Sequence, residues 1–505
     1  MIIASAQHQH TLGFNLHRQN RAAEAEPFYR KALSLEPDFK EAWINLGLST
    51  LAQKRPEEAL ACQRQALRLD PLSADAHNNL GMAHFAQGHI AEAENCFRAA
   101  LRLAPGHANA MLNLGSTRQI SNDVEDAEAL FRKALASGAE PALGNSNLAL
   151  ALMEQGQTEQ AERVLRQALA LRPGYPEARA NLALALLTLG KLEEGWAAYE
   201  SRWAVEAMGG PAPNLPQPRW TGQTLNGHTV LLYAEQGFGD TLQFCRYAPM
   251  VAAAGGRVVL VVPKALRRVM ATLDGVDRVL TEEDDCLPAF DYHCPLLSLP
   301  FAFGTHMGSI PGPHAYLAGD TAPWADVLAG MTGLKVGLVW AGKSRTDQPH
   351  AVAIDRRRSM RLADMAPLLD VPGCSFVSLQ LGPPAVQIAG SRLLDVSARL
   401  TDWADTAGLI VGLDLVIAVD TAVAHLAGAL GRPVWMLNRF DSCWRWFRRR
   451  GDTPWYPSMR LFRQTSRGDW AEVVHRAAEA LAERAAGRGA SLEDPFSPLR
   501  LPRND

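Results

Sequence analysis

Two loops in the second half of the chain carry residue types suited to group transfer. The first reads Glu235-Gln236-Gly237-Phe238-Gly239-Asp240-Thr241. Gly237 and Gly239 let a backbone approach a ligand closely. Asp240 stands at or just inside a helix start, where a carboxylate can act as general base or simply as an N-cap. The second loop runs from Val419 through Asp420, Thr421 and His425 to Gly431. Asp420 and Thr421 fall between a strand and a helix, where side chains and unpaired helix N–H groups can hold a sugar hydroxyl or a pyrophosphate. His425 follows one turn later, as a ligand contact or as a packed core histidine. Positive charge to meet an anionic ligand is offered by Lys343, after Trp340-Ala341-Gly342, and by Arg358 in Arg356-Arg357-Arg358-Ser359. No Asp-x-Asp follows a strand, so these cations, without a metal, would have to stabilise developing negative charge.

A third segment, from Arg439 to Arg450 and on through Trp455-Tyr456-Pro457, is dense in arginine and aromatic residues, Trp444 and Arg445 at its centre. Three readings compete for it: binding of an acceptor or anionic sugar, docking to the N-terminal half, and stacking on nucleic-acid bases. One local cluster in a chain of net charge -3 argues against nucleic acid.

The elements that must position these residues alternate. Strands are expected at 230–233, 258–262 and 276–280, and again at 335–340, 375–379, 415–419 and 433–437. Helices are expected at 241–254, 361–370, 403–411, 422–430 and 470–486. Strand–helix alternation implies parallel sheets of Rossmann type, and two such series imply two lobes, 228–330 and 331–486. The turn-rich stretch Gly209-Gly210-Pro211-Ala212-Pro213 marks a linker at 206–227, and residues 487–505 read as a loose tail.

The first 205 residues repeat every 34. Leu-Gly recurs at Leu12-Gly13, Leu46-Gly47, Leu80-Gly81 and Leu114-Gly115, then as Leu148-Ala149 and Leu182-Ala183. Ala25, Ala59, Ala93, Ala127, Ala161 and Gly195 form a second column. Ala32, Ala66, Ala100, Ala134 and Ala168 form a third, and Pro37, Pro71, Pro105 and Pro173 a fourth. Small residues let two helices approach, and proline ends the second one. This register resembles the tetratricopeptide repeat, in six units, which implies an α-solenoid with a concave groove. Asn45, Asn79, Asn113, Asn147 and Asn181 add a fifth column. Helix propensity does not explain five asparagines in register. Their carboxamides can bind an extended peptide backbone, or they can bond to the neighbouring helix and set repeat packing.

Composition narrows the remaining classes. Nearly half of the 505 residues are hydrophobic, as in ordinary globular chains. Seven cysteines without a Cys-x-x-Cys suggest neither a disulfide framework nor a zinc site, which fits a reducing cytoplasm. No apolar stretch reaches the length of a membrane span, and the N-terminus lacks a signal-peptide core.

Asp-Thr-x-x-x-His-x-Ala-x-Ala-x-Gly from Asp420, following the Gly-x-Gly-Asp loop that ends at Asp240, resembles the bacterial heptosyltransferase-like family over roughly residues 228–482. The resemblance implies the two-lobed GT-B architecture and metal-free transfer of a sugar from a nucleotide donor, with no further cofactor. It implies Asp240 as base, Asp420 and Thr421 as donor contacts, and Arg358 or Lys343 as the phosphate-binding cation. The asparagine column resembles that of the eukaryotic O-linked N-acetylglucosamine transferase. Repeats joined to such a domain resemble repeat-bearing bacterial protein O-glycosyltransferases. That pairing implies a polypeptide acceptor, flagellin or another exported filament protein by analogy. The alternatives are a lipid or oligosaccharide glycosyltransferase and a non-catalytic repeat scaffold.

Overall fold

The computed structural model describes residues 5–487 apart from 285, 313–314 and 344–348. The expected tail lies outside the described residues from 488 onward. The chain divides into two compact units, Met1–Ala178 with Thr346–Ala353, and Arg179–Arg345 with Ile354–Asp505.

Twelve helices among the described residues, from Ala6–Arg18 to Leu192–Tyr199, form the repeats, each 13 or 14 residues long except the eight-residue last. The sequence period has a steric origin. A Cβ added at Gly13 would lie 2.9 Å from the Tyr29 ring, at Gly81 2.6 Å from Phe97, and at Gly115 2.5 Å from Phe131. Each glycine thus makes room for a ring 16 residues later on the second helix of its hairpin. Where Ala149 replaces glycine, the position 16 residues later is the smaller Leu165. The alanine columns from Ala25 to Ala161 and from Ala32 to Ala168 are all buried. The sixth pair, Pro176–Thr188 and Leu192–Tyr199, lies from Arg179 on in the second unit.

The second unit contains two sheets, both wholly parallel. The first joins β1 (Thr229–Tyr233), β2 (Arg257–Val261), β3 (Arg278–Leu280) and β4 (Tyr292–Pro295) in the order β3-β2-β1-β4. The second joins β5 (Leu334–Val339), β6 (Cys374–Ser378), β7 (Leu415–Val419), β8 (Val434–Asn438) and β9 (Met459–Arg463) in the order β6-β5-β7-β8-β9. Strands buried on both faces read as continuous apolar runs, which is why β1, β7 and β8 were visible in the sequence. The edge strands β4 and β9, the latter carrying Arg460 and Arg463, were not. The expected helix at 361–370 is a 3₁₀ turn, Leu362–Met365, running into the single turn Ala366–Leu369, with Pro367 in its first positions. An unforeseen helix, Pro349–Arg358, carries Arg358 in its last turn.

One buried core runs through Leu187, Trp196, Leu232, Phe244, Val416, Trp444 and Trp455. It therefore includes the last repeat and both sheets. The other face of the second sheet, with Val336, Leu338, Ile417 and Leu437, packs with Val474 and Leu481 of the closing helix Trp470–Ala485. No helix among the described residues is long and apolar enough to cross a membrane.

The glycine–ring packing is testable. Gly115→Ala should destabilise by about 1–3 kcal/mol through overpacking, read as a lower unfolding midpoint. Gly106→Ala, where an added Cβ meets nothing within 4 Å, should leave the midpoint unchanged or raise it.

Candidate active site

Parallel strands deliver their loops to one edge, the carboxyl ends, where such sheets bind ligands. β1 ends at Tyr233 and leads through Glu235 and Gly237 into the helix Phe238–Phe244. Asp240 occupies the third position of that helix, and its Oδ2 accepts the Gly237 N–H at 3.0 Å. Its Oδ1 is ion-paired with Arg445 from the loop after β8. Asp240 is therefore not the N-cap, which is Gly237, but the residue whose Oδ2 reaches back to that cap, while its other oxygen faces the second sheet.

β7 ends at Val419 and leads through Asp420 and Thr421 into the helix Ala422–Ala429. Thr421 stands at the N-cap position, but its hydroxyl makes no cap bond and donates instead to the Val419 carbonyl at 3.2 Å. The Asp420 carbonyl accepts from Arg358 Nη1 at 3.2 Å, and Arg358 also pairs with the buried Asp355. A Cβ at Gly342 would lie 2.6 Å from Arg358 Nε, so the backbone after β5 lies against this guanidinium. Lys343, next in the chain, is exposed.

The two loops meet at His425. A Cβ at Gly239 would lie 2.9 Å from His425 Cδ2 and 3.7 Å from Ala422 Cα. Gly239, expected to approach a donor, is required in the structure so that the helix Phe238–Phe244 can pack on the helix Ala422–Ala429. His425 is buried, with Nδ1 2.9 Å from the Tyr456 hydroxyl and its ring tilted over Trp446 at 5.2 Å. Burial pushes its imidazole down to about 3; Asp420 pulls upward, and the charges of Arg445, Arg246 and Arg358 add to the downward push.

Trp444 and Arg445 were expected to face an acceptor, and both are buried instead. Trp444 is 5% exposed, edge-on to Trp196 at 5.3 Å, which makes it part of the core shared with the last repeat. Apolar rings gain more from that burial than from a wet groove. Arg445 turns inward to Asp240 and Gln243. Sequence reasoning missed Arg246, a buried cation held by the Gln243 and Trp455 carbonyls and the Tyr316 hydroxyl at 2.6–2.9 Å. The available signal was one arginine inside the apolar run from Leu242 to Ala254.

At the same edge several buried polar atoms lack a hydrogen-bond partner. Both side-chain atoms of Asn438 are unpartnered, as are Arg358 Nε, Arg439 Nε and Gln464 Nε2. Asn438 and Asp420 each follow a member of the last β7–β8 pair, Leu437 and Val419. Depressions of about 260 and 540 Å³ lie elsewhere, near Tyr316 and Arg432, and along the amino ends of β5 and β6 near Met331 and Cys374. Neither is lined by Asp240, Asp420 or Arg358, and the topology places ligand chemistry at the carboxyl ends. Among the described residues, no three His, Cys, Asp or Glu side chains gather as a metal cage.

In the repeats, Asn45 Nδ2 lies 2.8 Å from His10 Nε2, and Asn113 Nδ2 donates to Asn78 Oδ1 at 2.9 Å. Asn78 in turn donates to Asn79 Oδ1 at 3.1 Å. Asn45 and Asn113 thus bond to the preceding repeat, as the packing reading requires, through His10 and Asn78, which lie outside the column. Each carboxamide retains further donor or acceptor capacity. Asn147 is half-buried on the helix Pro141–Glu154, and Asn181 on the helix Pro176–Thr188.

Comparison with known proteins bears on this half first. Tetratricopeptide-repeat family models match residues 5–35, 38–105, 78–141 and 152–200. The N-terminal region is a tetratricopeptide-repeat solenoid. Protein FlbA of Caulobacter vibrioides is 30% identical over 329 residues, 58% of this chain and 53% of that protein. The chain thus spans about half the length of that curated relative. Among solved structures, the Cut9–Hcn1 hetero-tetramer of the APC/C is 21% identical, covering 40% of this chain and 42% of that one, with a TM-score of 0.37. A thermophilic TPR protein of Thermus thermophilus is 23% identical, covering 36% of this chain and 100% of that one, with a TM-score of 0.34.

The state of His425 has a measurable consequence. An unfolded histidine titrates near 6.5, so between that pH and about 3 the native state binds fewer protons than the unfolded state. Stability should fall as pH drops below about 6.5, by roughly 1.4 kcal/mol per unit from this residue. His425→Gln should flatten the acid limb of the unfolding midpoint against pH, and imidazole nitrogen NMR should find a neutral ring at pH 5. A protonated ring at that pH would contradict the assignment.

Proposed function

We propose that the second unit is a GT-B glycosyltransferase that moves a sugar from a nucleotide donor to a Ser or Thr hydroxyl of a polypeptide recognised by the repeats. The observation that carries this reading is the convergence, around His425, of Asp240 from the first sheet with Asp420 and Arg358 from the second. A nucleoside diphosphate leaving group needs its developing charge neutralised more than it needs a proton. Arg358, with Lys343 after β5, offers that charge where a divalent ion would otherwise be required. The acceptor hydroxyl needs a base, and Asp240 keeps lone pairs beyond those given to Gly237 and Arg445.

Buried polar atoms without partners cost about 1–3 kcal/mol each. Hydroxyls and phosphates brought to the edge near Asn438, Arg439 and Gln464 would relieve that cost. Asp420, Thr421 and Gly237 line the donor side in this reading, with His425 a neutral packing partner behind them. The repeats suit a protein acceptor, since solenoids of this kind present extended peptide-binding surfaces. An exported filament protein such as flagellin is the acceptor class to test first.

A thermal-shift panel of UDP, ADP, GDP and CMP should give a midpoint rise with one of them. No rise with any would favour a non-catalytic scaffold. With the base identified, co-expression with candidate acceptors should add a sugar mass to the intact protein; a modified lipid or oligosaccharide instead would support the alternative transferase. Asp240→Asn should lower transfer by about 10²–10⁴-fold with nucleotide affinity unchanged. Asn79→Ala combined with Asn147→Ala should raise acceptor KM without changing donor affinity. A lowered unfolding midpoint at unchanged KM would instead assign these asparagines to packing.

A further inference from the structure

Asp240 sits on the first sheet's loop, yet the group that holds its carboxylate comes from the second. We propose that Arg445 is the positioning residue of Asp240, clamping the carboxylate from the loop after β8 so that its aim is set jointly by both sheets. This rests on the reading of Asp240 as base. The Gly237 N–H, 3.0 Å from Oδ2, ties one oxygen to the helix start and leaves the other to be fixed. Arg445 Nη2 takes that oxygen.

The guanidinium is itself fixed on every side. Its Nε donates to Gln243 Oε1 at 2.8 Å, and its Nη1 to Cys443 Sγ at 3.1 Å. Its plane lies over the Trp444 ring, 4.1 Å from the centroid, and Trp444 is wedged against Trp196. The Arg445 side chain is 9% exposed and that of Asp240 is 19% exposed. Three acceptors on three nitrogens call for a planar fork, which lysine does not have. Arg445 thus reaches an acceptor hydroxyl only through Asp240, in place of the direct contact its sequence neighbourhood suggested.

The test uses the full chain with Arg445→Met, Arg445→Lys, Asp240→Asn and the double variant Asp240→Asn/Arg445→Met. Misalignment of a catalytic group costs on the order of 10²-fold. Arg445→Met should therefore lower kcat by about that factor, with the KM values of donor and acceptor within about threefold of wild type. Arg445→Lys, which keeps the charge but not the fork, should recover only about tenfold. A raised acceptor KM at wild-type kcat would make Arg445 a substrate contact and overturn the proposal. Wild-type kcat in Arg445→Met beside an inactive Asp240→Asn would overturn it while leaving the base reading intact. Turnover retained in Asp240→Asn would overturn the base reading instead. The pair is then decided without catalysis by unfolding midpoints: if the two side chains support each other, the double variant loses less stability than the two single losses summed. Additive losses would show that they do not.

Discussion

Arg202 carries its charge inside the protein at 1% side-chain exposure because Glu235 faces it through two hydrogen bonds of 2.9 Å. Burial opposes the charge, and Glu235 together with Glu200, which also pairs with the guanidinium at 2.9 Å, holds the arginine above its usual range, while burial raises the Glu235 carboxyl itself. The Leu297 N–H donates to the same carboxylate at 3.0 Å, and Ser298 accepts from the same guanidinium. Losing one member of such a pair strands the other as an uncompensated buried charge, at about 3–5 kcal/mol. Its position matters more than its strength. Arg202 lies in the 3₁₀ turn Glu200–Ala204 that continues from the last repeat helix, and Glu235 opens the loop that leads to Asp240. Gln236, next to it, bonds the Tyr199 hydroxyl at 3.3 Å and the Met208 carbonyl at 3.3 Å. The loop is therefore held from behind by the end of the repeats before its tip meets any other partner.

The tip then meets the second sheet through contacts of a different kind. Gly239 gives up a side chain so that His425 can come close, and Asp240 gives one oxygen to Arg445. Trp196, Phe244, Trp444 and Trp455 fill the space behind these polar contacts with edge-on rings 5.3–6.5 Å apart. Charge fixes the direction of the loop and aromatic packing fixes its depth. Arg246, buried among Tyr316, Trp455 and Tyr456, uses both: carbonyls and a hydroxyl accept its hydrogen bonds, and the rings take its face.

The solenoid was legible because one contact recurs. A small residue facing the position 16 residues on, a ring in three of the repeats, leaves a 34-residue period in the chain. The central strands were legible because burial on both faces makes them continuously apolar. β4 and β9 escaped because edge strands carry histidine and arginine as readily as valine. The candidate site was half legible. Asp240, Asp420, His425 and Arg358 do gather at the strand ends, since parallel topology sends those loops there. Trp444 and Arg445 were misplaced because an arginine–aromatic run reads the same whether it faces solvent or a neighbouring helix. Gly239 was misread for a related reason: a glycine's bare side records close approach without naming what approaches. The asparagine column shows the same limit, since Asn113 bonds to Asn78, one position outside the register.

The boundary at Arg179 has a consequence for how such a chain can vary in length. Five repeats share one register of small residues, with a glycine–ring contact in three of them and Gly47–Gln63 and Ala149–Leu165 in the other two, so a block of 34 residues duplicated or deleted among them preserves the spacing of the joint it interrupts. The sixth is exempt: its tryptophan and tyrosine are built into the hydrophobic interior of the α/β half. Growth or shrinkage of the array should therefore be confined to the stretch before it, with the final hairpin inherited together with the sheets as one indivisible piece.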